Sequence, residues 1–83
     1  MEVKVLGPGC ANCKRLYEVT AQAVVQAGLP ATITKVESFE EIVAHPVMMT
    51  PALVINGKVK SAGRIPVVAE ITTWLRTAAM EEV

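Results

Sequence analysis

The chain has 83 residues, of which 52% are apolar and only 4% aromatic, and its 8 basic and 8 acidic side chains cancel. Such a length makes one small domain, residues 1–83, with a core drawn from Val, Ile, Leu and Ala. Balanced charge argues against nucleic-acid binding, the apolar content against disorder, and the lack of an apolar run of about 18 residues against a membrane span.

The opening residues Met1 to Leu6 are too charged, and too soon broken, for a signal peptide, so a cytoplasmic protein is expected. Thiols are kept reduced there, and a pair of cysteines then points to catalysis or metal binding rather than to a structural staple. Residues 2–6, E-V-K-V-L, alternate and are β-branched, which predicts a strand ended by Gly7-Pro8-Gly9. Cys10-Ala11-Asn12-Cys13 opens a helix running to about Ala27. Cys13, Leu16, Tyr17, Val24 and Ala27, with Thr20 between them, keep the helical period. Gly28 and Pro30 stop it.

Residues 31–36 read as a second strand. Ser38 to Glu41 is a capping-box pattern that opens a short helix to about Ala44, ended by His45-Pro46. The loop 47–51 leads to a third strand, Ala52 to Ile55, and Asn56-Gly57 predicts a tight hairpin to a fourth strand, Lys58 to Ser61. After the turn Ala62-Gly63-Arg64, Pro66 fits the first turn of a last helix that buries Val67, Ile71, Trp74 or Leu75, and Ala78. The order is βαβαββα. Helix-separated strands imply parallel pairing and the last hairpin is antiparallel, so the expected fold is α/β, a mixed four-stranded sheet with helices on its faces.

A C-x-x-C at a helix start has a physical use. The first helical N–H groups are unpaired and the positive end of the helix dipole points outward, so a thiolate is stabilised there and its pKa falls from about 8.5 toward 7 or below. Cys10 sits at that tip, with Lys14 and Arg15 nearby, and Cys13 lies one turn further in, beside Leu16 and Tyr17. Cys10 is therefore the expected exposed nucleophile and Cys13 the shielded resolving thiol, close enough to close a disulfide. Other uses of the pair stay open on these residues alone. A zinc site needs four ligands, and His45, Met48 and Met49 are the further candidates. A two-coordinate soft-metal carrier of the copper-chaperone kind also opens a helix with C-x-x-C, in a βαββαβ order. An inert structural pair is the third alternative.

Thr50-Pro51 is the second informative point, because a proline directly before a buried strand removes a ladder donor and a cis bond would account for it. Together, G-P-G-C-A-N-C after a strand, T-P-A-L-V-I-N-G-K some forty residues later and Gly63 before the last helix resemble the thioredoxin superfamily. Within it they are most similar to the small thioredoxin-like redox-active disulfide proteins of bacteria and archaea. The resemblance runs from Val3 to Leu75. It implies a minimal thioredoxin-like fold and a thiol–disulfide oxidoreductase that reduces protein disulfides without a bound cofactor or metal. Cys10 would attack and Cys13 resolve. Pro51 would be cis beside the disulfide, Thr50 would offer its backbone to an incoming peptide, and Gly63 would keep the groove open. Gly7, Pro8, Met49, Ala62 and Gly63 would form an apolar rim around Cys10. The implied partners are disulfide-bearing protein substrates and an electron-donating reductase, with no nucleic acid or membrane, for a chain expected to be a monomer. A redox sensor or docking module that does not turn over is a further alternative on the same fold.

The chain departs from the usual pattern at three places. Gly9 stands where Trp is usual and Ala11-Asn12 where Gly-Pro is usual. The strand position usually held by a buried acid is Lys4, with Glu2 the nearest acid. Elsewhere, His45 reads as a capping or surface residue, Met48 and Met49 as core or rim, Tyr17 as packing and Trp74 as core. Lys58 and Lys60 read as solvated guards of an edge strand, and Glu81-Glu82 as a solvated tail.

Overall fold

The computed structural model describes residues 1–81. The elements run β1 (Glu2–Leu6), α1 (Ala11–Ala27), β2 (Thr32–Val36), α2 (Phe39–Val43), β3 (Ala52–Ile55), β4 (Lys58–Ala62) and α3 (Val68–Glu81). Local chemistry sets most of these boundaries. Gly28 closes α1 in the left-handed conformation and its N–H reaches the Val24 and Val25 carbonyls. Ser38 Oγ accepts from the Glu41 N–H at 3.2 Å and so caps α2. Asn56 and Gly57, at φ 48° and 81°, make the tight turn between β3 and β4.

The four strands lie in the order β2-β1-β3-β4. β1 and β2 are parallel, and β3 and β4 antiparallel. β3 also runs antiparallel to β1, with Leu6 opposite Ala52 and Val3 opposite Ile55. This corrects the expectation of parallel pairing across every helical connection. A parallel return must cross the full height of the sheet. The five residues of α2 span about 8 Å, roughly half of the ~16 Å of a five-residue strand. The chain therefore re-enters the sheet at the end it left, and residues just after β1 come to lie beside residues just before β3.

Helices do not share the two faces evenly. Val3, Val5, Leu53 and Ile55 pack beneath both long helices, against Leu16 and Ala23 of α1 and Ile71, Leu75 and Ala78 of α3. On the other face Ile42 of α2 covers one end, over Leu6, Val36, Ala52 and Val54. Val59 of β4 packs beside them, and over β1 and β2 that face is polar toward the other end, with Lys4 paired to Glu2 at 3.3 Å and Thr32 and Thr34 exposed. Thr20 is fully buried in α1 and donates to the Leu16 carbonyl at 2.7 Å, which satisfies its hydroxyl within an apolar stripe.

The last helix starts later than the sequence reading places it. Pro66 is buried but precedes α3, which begins at Val68, and Val67 is 62% exposed. Leu75, not Trp74, fills the core position, where full burial contributes about 1.5–3 kcal/mol. Trp74 is half-buried with the Arg64 guanidinium 6.0 Å from its ring centre. Glu81 is the last residue of α3 rather than a free tail, and it pairs with Lys58 at 2.9 Å, so Lys58 is not merely solvated. Glu82 lies outside the described residues. Among the described residues no helix is long and apolar enough to cross a membrane.

Candidate functional site

The site forms at the sheet end where β1 stops and β3 starts. Gly7 extends the β1–β2 ladder by donating to the Val36 carbonyl at 2.9 Å, and Gly7-Pro8-Gly9 then turns the chain into α1. Cys10 is the N-cap of α1. Its backbone is extended (φ −68°, ψ 168°), its Sγ accepts from the Cys13 N–H at 3.2 Å, and its carbonyl accepts from the Lys14 N–H at 3.0 Å. No acidic residue stands in the first turn of α1, so nothing there offsets the positive helix end. Cys10 is exposed and Cys13 is 5% exposed. The two form a disulfide, with their Cα atoms 5.0 Å apart.

Packing of Gly7 against Cys13 leaves no room for a side chain. A carbon added at Gly7 would overlap Cys13 Sγ and lie 3.9 Å from the Pro51 Cα, so the absence of a side chain at Gly7 lets Cys13 and Pro51 approach each other. Gly7 itself is buried beneath the pair rather than on an apolar rim. The Thr50–Pro51 bond is cis, and the Pro51 carbonyl accepts from the Gly63 N–H at 2.9 Å. Gly63 lies under Met49, whose Cβ, Sδ and Cε would each be 3.1 Å from an added carbon. Thr50, Ala62 and Gly63 are exposed around this point. Cys10, Cys13, Met49, Thr50, Pro51 and Gly63 therefore converge, although they come from three separate stretches of sequence.

His45 is not part of this group. Its Nδ1 is 3.0 Å from the Glu41 carbonyl at the end of α2, the capping place expected of it. Tyr17 is half-buried, with the Lys35 ammonium 4.8 Å from its ring centre.

Two hollows adjoin this group, and of the residues that line them Phe39, Val43, Lys35 and Glu37 are not among the candidates read from the sequence. One is an apolar groove of about 320 Å³ between α2 and the loop before β3, lined by Phe39, Val43, Met48, Met49 and Thr50, with Glu37 at its edge. Phe39 is 77% exposed and Met48 97%, an unusual display of large apolar side chains. The other is a cavity of about 40 Å³ behind Cys13, where Lys14, Lys35 and Glu37 meet. Parallel pairing of Leu6 with Val36 brings Lys35 and Glu37 to the cysteines. That register is the signal that would have found them.

The chain matches the thioredoxin-domain family over residues 1–76. It is similar to a protein named thioredoxin from Methanothermobacter thermautotrophicus, 31% identical over 71 residues that cover 86% of this chain and 92% of that protein. It is also similar to a protein named thioredoxin from Methanocaldococcus jannaschii, 35% identical over 75 residues that cover 90% of this chain and 86% of that one.

Proposed function

The chain belongs to the thioredoxin-domain family and carries its cysteine pair at a helix start, which makes it a thiol–disulfide oxidoreductase; we propose that it works in the reducing direction on disulfides of other proteins. The observation that carries this reading is the asymmetry of the pair. Cys10 is exposed at a helix N-terminus free of acidic residues, and Cys13 is buried directly behind it.

In the reduced protein the Cys10 thiolate attacks a substrate disulfide, forms a mixed disulfide and releases the first substrate thiol. Cys13 then attacks Cys10 Sγ, the bond to the substrate breaks, and the second thiol leaves. Two electrons have passed to the substrate, and a cellular reductase returns them to the Cys10–Cys13 disulfide. Exposed Thr50 offers its backbone to an extended substrate strand, with Pro51, Met49 and Gly63 completing the contact. This chemistry calls for no metal and no bound cofactor, and it suits the reducing cytoplasm. A soft-metal carrier on the same motif would have a βαββαβ order, which differs from the order of this chain.

Replacing Cys13 with Ser tests the roles: stable mixed disulfides through Cys10 are expected with a disulfide-bearing protein. Trapping by Cys10→Ser in place of Cys13→Ser would reverse the assignment. Titration of the couple in thiol buffers tests the direction. A reduction potential near or below about −270 mV fits a reductase, and one above about −200 mV would make the protein an oxidant or sensor instead.

A further inference from the structure

The chain holds four methionines, and two of them stand side by side next to Thr50. Met48 and Met49 line the apolar groove together with Phe39, Val43 and Thr50. Met48 is 97% exposed and Met49 61%. Met49 is folded back over Gly63, with Cβ, Sδ and Cε each 3.1 Å from the carbon that Gly63 lacks. Gly63 in turn donates to the Pro51 carbonyl, so the Met49 thioether lies beside the cis-proline segment. The other two methionines are elsewhere. Met1 is half-buried against the core, and Met80 is exposed at the far end of α3, one residue before the Glu81 that pairs with Lys58. Leucine would give the groove the same apolar surface. A thioether adds one property that leucine lacks, since it donates two electrons to peroxides and becomes a polar sulfoxide.

We propose that Met48 and Met49 are an oxidation site for hydroperoxides, and that their sulfoxides close the groove to protein substrates while leaving the cysteine pair able to react. The inference rests on the reducing role proposed above. The occupant of the groove is a large apolar side chain next to the cysteine of a substrate disulfide. Continuity of surface supports that occupant, because Met49 and Thr50 line the groove and also border Pro51. In the step, a sulfur lone pair attacks the terminal peroxide oxygen, an S–O bond forms and the O–O bond breaks. The proton on the transferred oxygen passes to the departing one, which leaves as water or an alcohol. Each thioether loses two electrons and each peroxide gains two.

Position confines the consequence to docking. The sulfoxide oxygens would stand in a wall otherwise formed by Phe39, Val43 and Val47. An apolar side chain entering there would strip water from those oxygens and offer no hydrogen bond in return, which is costly. Neither methionine belongs to the side chains packed under the two long helices or beneath α2, so oxidation takes nothing from the core. A small disulfide that needs no groove still meets an exposed Cys10. The change is reversible, because methionine sulfoxide reductases return each sulfoxide to the thioether. The protein thereby withholds electrons from protein disulfides while peroxide lasts and resumes afterwards.

The test treats the disulfide form with hydrogen peroxide, which spares the paired cysteines, and then opens the pair with dithiothreitol. Peptide mass mapping identifies the methionines that carry oxygen. Reoxidation of the pair is followed by quenched-flow mass analysis with two probes. One is a disulfide-linked peptide with Phe and Leu flanking its cysteine, and the other is bis(2-hydroxyethyl) disulfide, which leaves the groove empty. Peroxide treatment is expected to slow the peptide reaction about fivefold or more, and the small disulfide less than about twofold. Methionine sulfoxide reductases for both epimers should restore the peptide rate. In the double variant Met48→Leu, Met49→Leu the treated and untreated rates should coincide, whatever the starting rate. Met80→Leu should lose as much as the wild type. An unchanged peptide rate with both groove methionines oxidised would overturn the assignment, as would an equal loss on both probes or a loss that persists in the double variant. A map in which Met80 is converted and Met48 and Met49 are spared would overturn it too. An untreated protein that reduces neither probe fails the redox reading itself, whereas reduction of both with no effect of peroxide fails this inference alone.

Discussion

Two helices begin at the same end of the sheet, α1 after β1 and α3 after β4, and their first turns are built to opposite specifications. At α3 the positive end is fully occupied. Glu70 stands in the first turn, accepts from the Val67 N–H at 3.3 Å and receives both guanidinium nitrogens of Arg64 at 3.0 and 3.1 Å. The Arg64 hydrogen bonds, then the Val67 N–H, hold the Glu70 carboxyl below its ordinary range, and Glu70 in turn raises Arg64. At α1 the cap is the Cys10 sulfur and no carboxylate intervenes. The same backbone feature anchors a surface ion pair in one helix and is left to a cysteine sulfur in the other.

The largest effect is expected from breaking the support under α1. Gly7→Ala drives a methyl group into Cys13 Sγ, and such overpacking costs about 1–3 kcal/mol. Urea unfolding of the oxidised protein should show a lowered midpoint, and an unchanged midpoint would mean that the site gives way more easily than its packing indicates. An intermediate effect comes from making α1 resemble α3. Ala11→Glu places an acid in the exposed first turn, worth about 0.3–1 kcal/mol against the thiolate. Alkylation of Cys10 near neutral pH should slow about two- to fivefold at low salt. No change would show that the helix end does not hold the thiolate.

The smallest effect is expected from making α3 resemble α1. Because the folded-state pKa of Glu70 is lowered, its contribution is present above the unfolded value and is lost as pH falls through the folded one. Glu70→Gln should therefore lower the urea midpoint slightly at neutral pH. The difference should vanish on acidification below about pH 4, and also in high salt, since the pair is exposed. A difference that persists in acid would assign the effect to capping alone.

The element order could be read along the chain because its punctuation is local: Gly7-Pro8-Gly9, Gly28 and Asn56-Gly57 each act within a few residues. Cys10 as a cap is legible for the same reason. Three features needed the third dimension. The direction of β3 depends on how far α2 carries the chain, which periodicity does not measure. Leu75 and Trp74 are neighbours on α3, and only the position of α1 decides which of them is buried. Lys35 and Glu37 come beside Cys13 through the register of the parallel pair β1–β2, which no spacing along β1 reveals.

The cysteine pair spans a separation of only three residues within a single helical turn. A cross-link over so short a stretch removes little freedom from the unfolded chain compared with one joining distant segments. Opening it unties no strand from another and releases neither long helix from the sheet, since the core contacts of β1, β3, α1 and α3 are made by other side chains. The fold is thus a handle that stays rigid while its tip is charged and discharged. The chain can alternate between its two oxidation states without passing through a loosened form that proteases or aggregation would exploit.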